Sequence, residues 1–157
     1  MNNINYKELL QVTDPLLTGI DNEISLLANA SALLNSYLEN VNWCGFYLNT
    51  NGTLKLGPFQ GKVACVTIPF NRGVCGACAT SKTTILVDDV HKFEGHIACD
   101  SASNSEIVIP IIVNNELYGV LDIDSVEFSN FNENDKVNLE NFVEILEQNL
   151  TKLNKEH

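Results

Sequence analysis

Basic residues are scarce in this chain. Lys and Arg together number 9 against 20 Asp and Glu, a formal charge of -11 over 157 residues. Such a surface repels nucleic acid phosphates and anionic lipid headgroups, so neither nucleic acid nor a membrane is expected as a partner. Long apolar runs are missing too: no stretch approaches the roughly 20 apolar residues of a membrane span. The opening MNNINYKELL carries neither the basic segment nor the apolar run of a leader, so a cytoplasmic protein is expected. The cysteines do not pair off. There are 5 of them, an odd number that excludes a complete intrachain disulfide framework and leaves thiols to pack or to react. The Cys75-Gly76-Ala77-Cys78 segment has no second CxxC to complete a four-ligand zinc site. Repeats and low-complexity segments are absent.

What is present suffices for an ordinary core. With 45% hydrophobic and 18% charged residues, the chain is expected to fold as one domain over residues 1–157. Ile24, Leu27, Ser31, Leu34 and Leu38 recur at spacings of three and four, which predicts a helix from 21 to about 39. A closing helix is predicted from the Asn132 cap and Asp135, with Leu139, Phe142, Val143, Leu146 and Leu150 on its apolar face. Between them lie candidate strands at 42–48, 53–56, 63–68, 83–87, 105–113 and 116–124, with turn signals at Asn51-Gly52 and Asn114-Asn115 and a short helix from about Gly73. This order predicts an α+β fold, a largely antiparallel sheet with helices against one face. The stretch from Asp88 to Asn104 is long for a loop and rich in His, Cys, Asp and Ser, which marks it as a place for function.

Alternation along strands sorts the polar residues. Leu117, Gly119, Leu121 and Ile123 are expected on one face of their strand, and Tyr118, Val120, Asp122 and Asp124 on the other. Two carboxylates sharing a face repel unless a cation lies between them, which suits an ammonium group. An Asp124 that ends its strand beside a solvated Asp122 would give the same pattern. Trp43, Gly45 and Tyr47 likewise share a face, with Cys44, Phe46 and Leu48 opposite, so Cys44 reads as core. Trp43 then either walls a pocket or is one more packed aromatic. Cys65, alternating with Ala64, Val66 and Ile68, is expected on the Trp43 side. Cys75 follows Arg72-Gly73-Val74 at a helix start, where the helix dipole and the cation would depress a thiol pKa. Cys99, in His96-Ile97-Ala98-Cys99-Asp100, is a loop thiol with a histidine in reach to stabilise its thiolate. A Cys-His protease is a poor match, because nothing supplies a recognisable oxyanion hole.

The segments NWCGFY, LGPFQGKVACVTIPFNRGVCG, DVHKFEGHIACDSASNSEIVIP and YGVLDIDS, in this order between Asn42 and Ser125, resemble the free methionine-(R)-sulfoxide reductases built on a single GAF domain. The resemblance implies a GAF-like central six-stranded sheet, with the N- and C-terminal helices on one face and a ligand pocket on the other. It implies redox cysteines at Cys65, Cys75 and Cys99 and a substrate pocket at Trp43, Tyr47, Glu106, Asp122 and Asp124. In that scheme Cys99 attacks the sulfoxide sulfur of free methionine sulfoxide and becomes a sulfenic acid. Cys75 or Cys65 resolves it as a disulfide, and a thioredoxin-like reductant reopens the bond by thiol exchange. Glu106 serves as acid and sulfoxide anchor, Asp122 and Asp124 receive the ammonium, and Trp43 faces the S-methyl end. No cofactor and no metal are required, and a homodimer through the two long helices is expected. Cys44 and Cys78 stand where the family pattern has no cysteine, so Cys78 is a further candidate for resolving thiol. Two other functions fit a GAF-like domain with thiols: a module that senses a small molecule without turnover, and a thiol redox sensor in which Cys75 and Cys99 oxidise.

Overall fold

The computed structural model describes residues 1, 3–96 and 102–156, with side chains as far as Leu153. Helix α1 (Tyr6–Leu17) and helix α2 (Glu23–Tyr37) lead into strands β1 (Val41–Thr50), β2 (Thr53–Gly61) and β3 (Thr67–Pro69). Helix α3 (Gly73–Ser81), strand β4 (Ile85–Val87) and a single 3-10 turn at Val90–Lys92 follow. Strands β5 (Ser105–Val113) and β6 (Glu116–Ser125) then deliver the chain to helix α4 (Glu133–Glu156). The six strands form one sheet in the order β3-β2-β1-β6-β5-β4, with every neighbouring pair antiparallel.

Local chemistry explains most of these elements. Asn51 and Gly52, and again Asn114 and Asn115, have positive φ, the backbone that a two-residue hairpin between right-twisted strands requires. Helix α2 starts at Asn22, whose side chain accepts the Ser25 backbone N–H at 2.8 Å. At the start of α4, Asn132 and Asp135 each bond the other's backbone N–H at 2.9 Å, a reciprocal cap. The phenol of Tyr6 donates to the same Asp135 at 2.7 Å and so ties α1 to α4.

The sheet separates two apolar layers. On one face α1, α2 and α4 pack over Cys44 and Phe46 of β1, Ile107, Ile109 and Ile111 of β5, and Leu121 and Ile123 of β6. On the other face α3 packs over Trp43, Tyr47, Leu54, Val108 and Val120. Among the described residues, no helix is long and apolar enough to cross a membrane.

Several boundaries differ from the sequence reading. Helix α1 was not anticipated, because Thr13 and Pro15 interrupt its apolar pattern. Thr13 is nonetheless fully buried, its hydroxyl satisfied by the Leu9 carbonyl at 2.6 Å, so the polar residue sits in the core. Helix α2 begins two residues later than expected, and Ile24, placed on the apolar stripe, is 74% exposed, whereas Leu27, Ser31 and Leu34 are buried. Residues 63–66 are not strand: β2 runs on to Gly61 and β3 is confined to Thr67–Pro69. Strand β4 begins at Ile85, two residues after the expected start. The alternation in β6 holds from Val120 to Asp124 but inverts before it. A register shift between Ile111 and Ile112 of β5 pairs Ile112 with Leu117 and leaves Tyr118 over as a bulge, which places Leu117 on the α3 side and Tyr118 against the three-helix layer.

Candidate active site

The α3 face of the sheet carries a pocket whose walls come from β1, α3, β5 and β6, with Ile68 of β3. Trp43 and Tyr47 of β1, Cys75 of α3, Glu106 of β5, and Asp122 and Asp124 of β6 all line it, with His96 and Arg72 at its edge. The pairing of strands sets this arrangement. Trp43 and Glu106 both pair with Asp124, on either side of β6, while Gly45 and Val108 both pair with Asp122. Two adjacent rows across the sheet therefore deliver an aromatic ring and three carboxyl groups to one place, strands lying about 4.8 Å apart.

The aromatic wall is braced from behind. The Trp43 ring stacks on Tyr47 and on Phe59, with centroids 5.7 and 5.0 Å apart, and its indole N–H donates to the Lys62 carbonyl at 3.2 Å. Gly61 makes this possible, since at φ +145 a side chain is disfavoured and a Cβ there would run into the Trp43 ring. Tyr47 donates its phenol proton to the Cys65 carbonyl at 2.9 Å and so holds the segment between β2 and β3 over the pocket.

The acidic wall is buried. Glu106, Asp122 and Asp124 are only 7%, 5% and 9% exposed. Burial, followed by repulsion from Asp122 and Asp124, pushes the Glu106 pKa well above the usual carboxyl range. Burial raises Asp122 as well, partly offset by hydrogen bonds from Glu106, Cys75 and Asp124. Glu106 thus holds its proton to higher pH than an ordinary carboxyl group, with Asp122 as its hydrogen-bond partner. One oxygen of Asp122, Oδ1, is buried and has no hydrogen-bond partner.

The thiols divide by environment. Cys44 is fully buried on the three-helix side, as its alternation predicted. Cys75 corrects the sequence reading. It does stand in the first turn of α3, but it is 4% exposed, and its sulfur lies 3.9 Å from Glu106 Oε2. Burial first, and then Asp122, Glu106 and Asp124, drive its pKa well up, outweighing the helix dipole and the exposed Arg72 that were expected to lower it. Cys78 is fully buried with its sulfur 3.6 Å from the Val108 carbonyl, and burial pushes its pKa up to about 12. Cys65 is disulfide-bonded, whereas Cys44, Cys75 and Cys78 are free thiols. Cys65 reaches the pocket side as expected but from a loop, not from a strand. The attacking thiol expected at Cys99 lies outside the described residues.

Six of the eight residues expected at the site thus line one pocket, and Cys65 packs against the same apolar layer. The sequence reading missed Phe59 and Gly61, which position Trp43, and Ile68, Val74 and Ser103, which are among the residues lining the pocket. Only Gly61 carried a signal, an isolated glycine at a strand end next to an aromatic partner.

Residues 22–150 match the family profile of the GAF domain. The chain is 50% identical to the free methionine-R-sulfoxide reductase of Escherichia coli (strain K12) over 143 residues, 91% of this chain and 87% of that protein. It is 43% identical to the free methionine-R-sulfoxide reductase of Saccharomyces cerevisiae over 156 residues, 92% of this chain and 87% of that one. The solved structure of the fRMsr of Staphylococcus aureus in complex with substrate superimposes with a TM-score of 0.91 at 47% identity, covering 96% of this chain and 98% of that chain. The fold and its pocket define a GAF domain. Within that class the chain belongs to the free methionine-R-sulfoxide reductases and is an oxidoreductase.

Proposed function

We propose that the chain reduces free L-methionine (R)-sulfoxide to L-methionine at the expense of its own thiols, which a thioredoxin-like dithiol then regenerates. The observation that carries this reading is the pairing, in one pocket, of a stacked Trp43 with a buried cluster of Glu106, Asp122 and Asp124. The two aspartates suit the ammonium of a free amino acid, which a methionine inside a peptide lacks. Trp43 offers its ring to the S-methyl end. Glu106, holding its proton through burial, suits hydrogen bonding to the sulfoxide oxygen and its protonation.

Cys99 is the proposed nucleophile. Its thiolate attacks the sulfoxide sulfur, the oxygen takes up a proton and passes as hydroxyl to the Cys99 sulfur while the S–O bond and the transient S–S bond break, and methionine leaves with Cys99 as a sulfenic acid. A second thiol displaces water from the sulfenic acid to form a disulfide, and an external dithiol takes over that disulfide and restores both cysteines. Cys65 is favoured as the resolving thiol. It is the one disulfide-bonded residue among the described cysteines, and Cys75 is buried with its thiol pKa raised. Every step uses side chains of the chain and external thiols, without cofactor or metal. The reading places the protein in the cytoplasm, where thiol reductants operate. It also places it in a homodimer through α2 and α4, which leave Ile24 and Val137 exposed.

The test is consumption of the separated R and S epimers of free methionine sulfoxide, and of a peptide-bound form, with thioredoxin as reductant. Loss of the free R epimer alone, abolished in Cys99→Ser, is expected; turnover of no form by folded, reduced protein overturns the reading. Asp124→Asn is expected to raise KM more than it lowers kcat, and Glu106→Gln to do the reverse. Equal effects on both parameters in both variants would contradict these roles.

A further inference from the structure

Beyond the substrate, the pocket has the make-up of a cation site that includes sulfur. The Cys75 thiol, a Glu106 oxygen and an Asp122 oxygen lie within 4.8 Å of one another, all on buried residues. Each donor comes from a different element, α3, β5 and β6, so the packing of the fold itself brings them together. The 3.9 Å between Cys75 Sγ and Glu106 Oε2 is close to the separation of about 3.6 Å that a tetrahedral zinc imposes on a sulfur and an oxygen ligand. Asp122 Oδ1 adds a further observation: it belongs to a residue that is 5% exposed and lines the pocket, and it has no hydrogen-bond partner. An unpaired buried carboxylate oxygen is costly and calls for a positive partner.

The substrate ammonium satisfies Asp122 but has no use for the thiol. A cation that prefers sulfur uses both. Calcium and magnesium favour all-oxygen sites, whereas zinc and cobalt accept a mixed set of thiolate and carboxylate. We propose that Cys75, Glu106 and Asp122 bind one thiophilic divalent cation, Zn²⁺ foremost, with the fourth position left open to the pocket. Binding releases the Cys75 and Glu106 protons to solvent. Because it occupies Glu106 and Asp122, the metal excludes the amino acid and makes the pocket sensitive to zinc. That exclusion rests on the substrate placement proposed above, while metal binding rests on the donor set alone.

Co²⁺ is the probe, titrated into the reduced full chain after the reductant has been removed without air. One equivalent is expected to give a near-ultraviolet thiolate-to-cobalt band together with tetrahedral visible absorption, both bleached by one equivalent of Zn²⁺. The thiolate band is lost in Cys75→Ser, kept in Cys78→Ser, and in Asp122→Asn appears only at roughly tenfold or more higher Co²⁺. The absence of any thiolate band in the wild type, or an unchanged band in Cys75→Ser, overturns the site. If Cys75→Ser does not fold, the Asp122→Asn titration decides, and unaltered affinity there overturns it. In turnover assays Zn²⁺ is expected to raise the apparent KM without changing kcat. A cobalt spectrum that follows Cys75 in a protein without turnover upholds the metal site and removes the reductase reading instead.

Discussion

The two faces of the central sheet are made by the same strands and are both buried, yet they differ in what they hold. On the three-helix face, Phe46, Ile107, Leu121 and Ile123 are all 0% exposed and contribute only hydrocarbon. One residue along, on the α3 face, stand Tyr47, Glu106, Asp122 and Asp124, none more than 9% exposed and most of them polar. Burial of apolar surface stabilises a fold, whereas burial of a carboxyl group opposes it unless the group is neutralised or paired. One face therefore holds the domain together, and the other keeps reactive groups in a state that water would not allow.

The comparison is broken most easily from the apolar side. Phe46→Ala is expected to cost about 3–5 kcal/mol, through lost transfer energy and a cavity that the three helices cannot close. Urea denaturation would show it, and a loss under about 1 kcal/mol would mean that this face is not the stabilising one.

Glu106→Gln sharpens the contrast. The folded-state pKa of Glu106 lies above its unfolded value of about 4.3, so the folded protein binds the extra proton between those two values. The contribution of this proton to stability is complete below the unfolded pKa and is lost as pH rises through the folded one. Gln mimics the protonated side chain at every pH. The melting temperature of the variant should match the wild type near pH 4 and exceed it increasingly as pH rises from the unfolded pKa to the folded one. A gap that narrows with rising pH would mean that the carboxylate, and not the acid, is the buried form.

The smallest effect concerns the outer surface of α2. Ile24→Ser is expected to change stability by no more than about 0.5 kcal/mol, because the side chain is already 74% exposed. A larger loss at high protein concentration than at low would point to burial of Ile24 in the proposed dimer.

Much of the fold could be read from the residues. Pairs such as Asn51-Gly52 and Asn132 with Asp135 act within a few residues of themselves, and their geometry follows from local chemistry. Alternation in β1 placed Trp43 and Tyr47 opposite Cys44 correctly because both faces are filled and neither can slip. What escaped depended on distant partners. Thr13 is buried because its hydroxyl turns back onto its own helix, and the Tyr118 bulge exists only as a mismatch between β5 and β6. The residues that line the pocket were legible as a set, through alternation for the aspartates and Trp43 and through the family resemblance for Glu106. Its electrostatics were not: the helix start at Cys75 was visible, but the three carboxyl groups that outweigh it arrive from strands about 30 residues and more further along.

The row in which Trp43 and Glu106 flank Asp124 has a consequence for assembly of the chain. If β6 slipped by one residue against its neighbours, Asp122 and Asp124 would turn into the space between Phe46, Phe142 and Ile107, and Leu121 and Ile123 would face the pocket. Such a misfold would bury two ionisable groups in hydrocarbon and lose the apolar surface meant for that place. The pocket acids thus act as a check on strand registry during folding, rejecting the slipped alternative before any ligand is met.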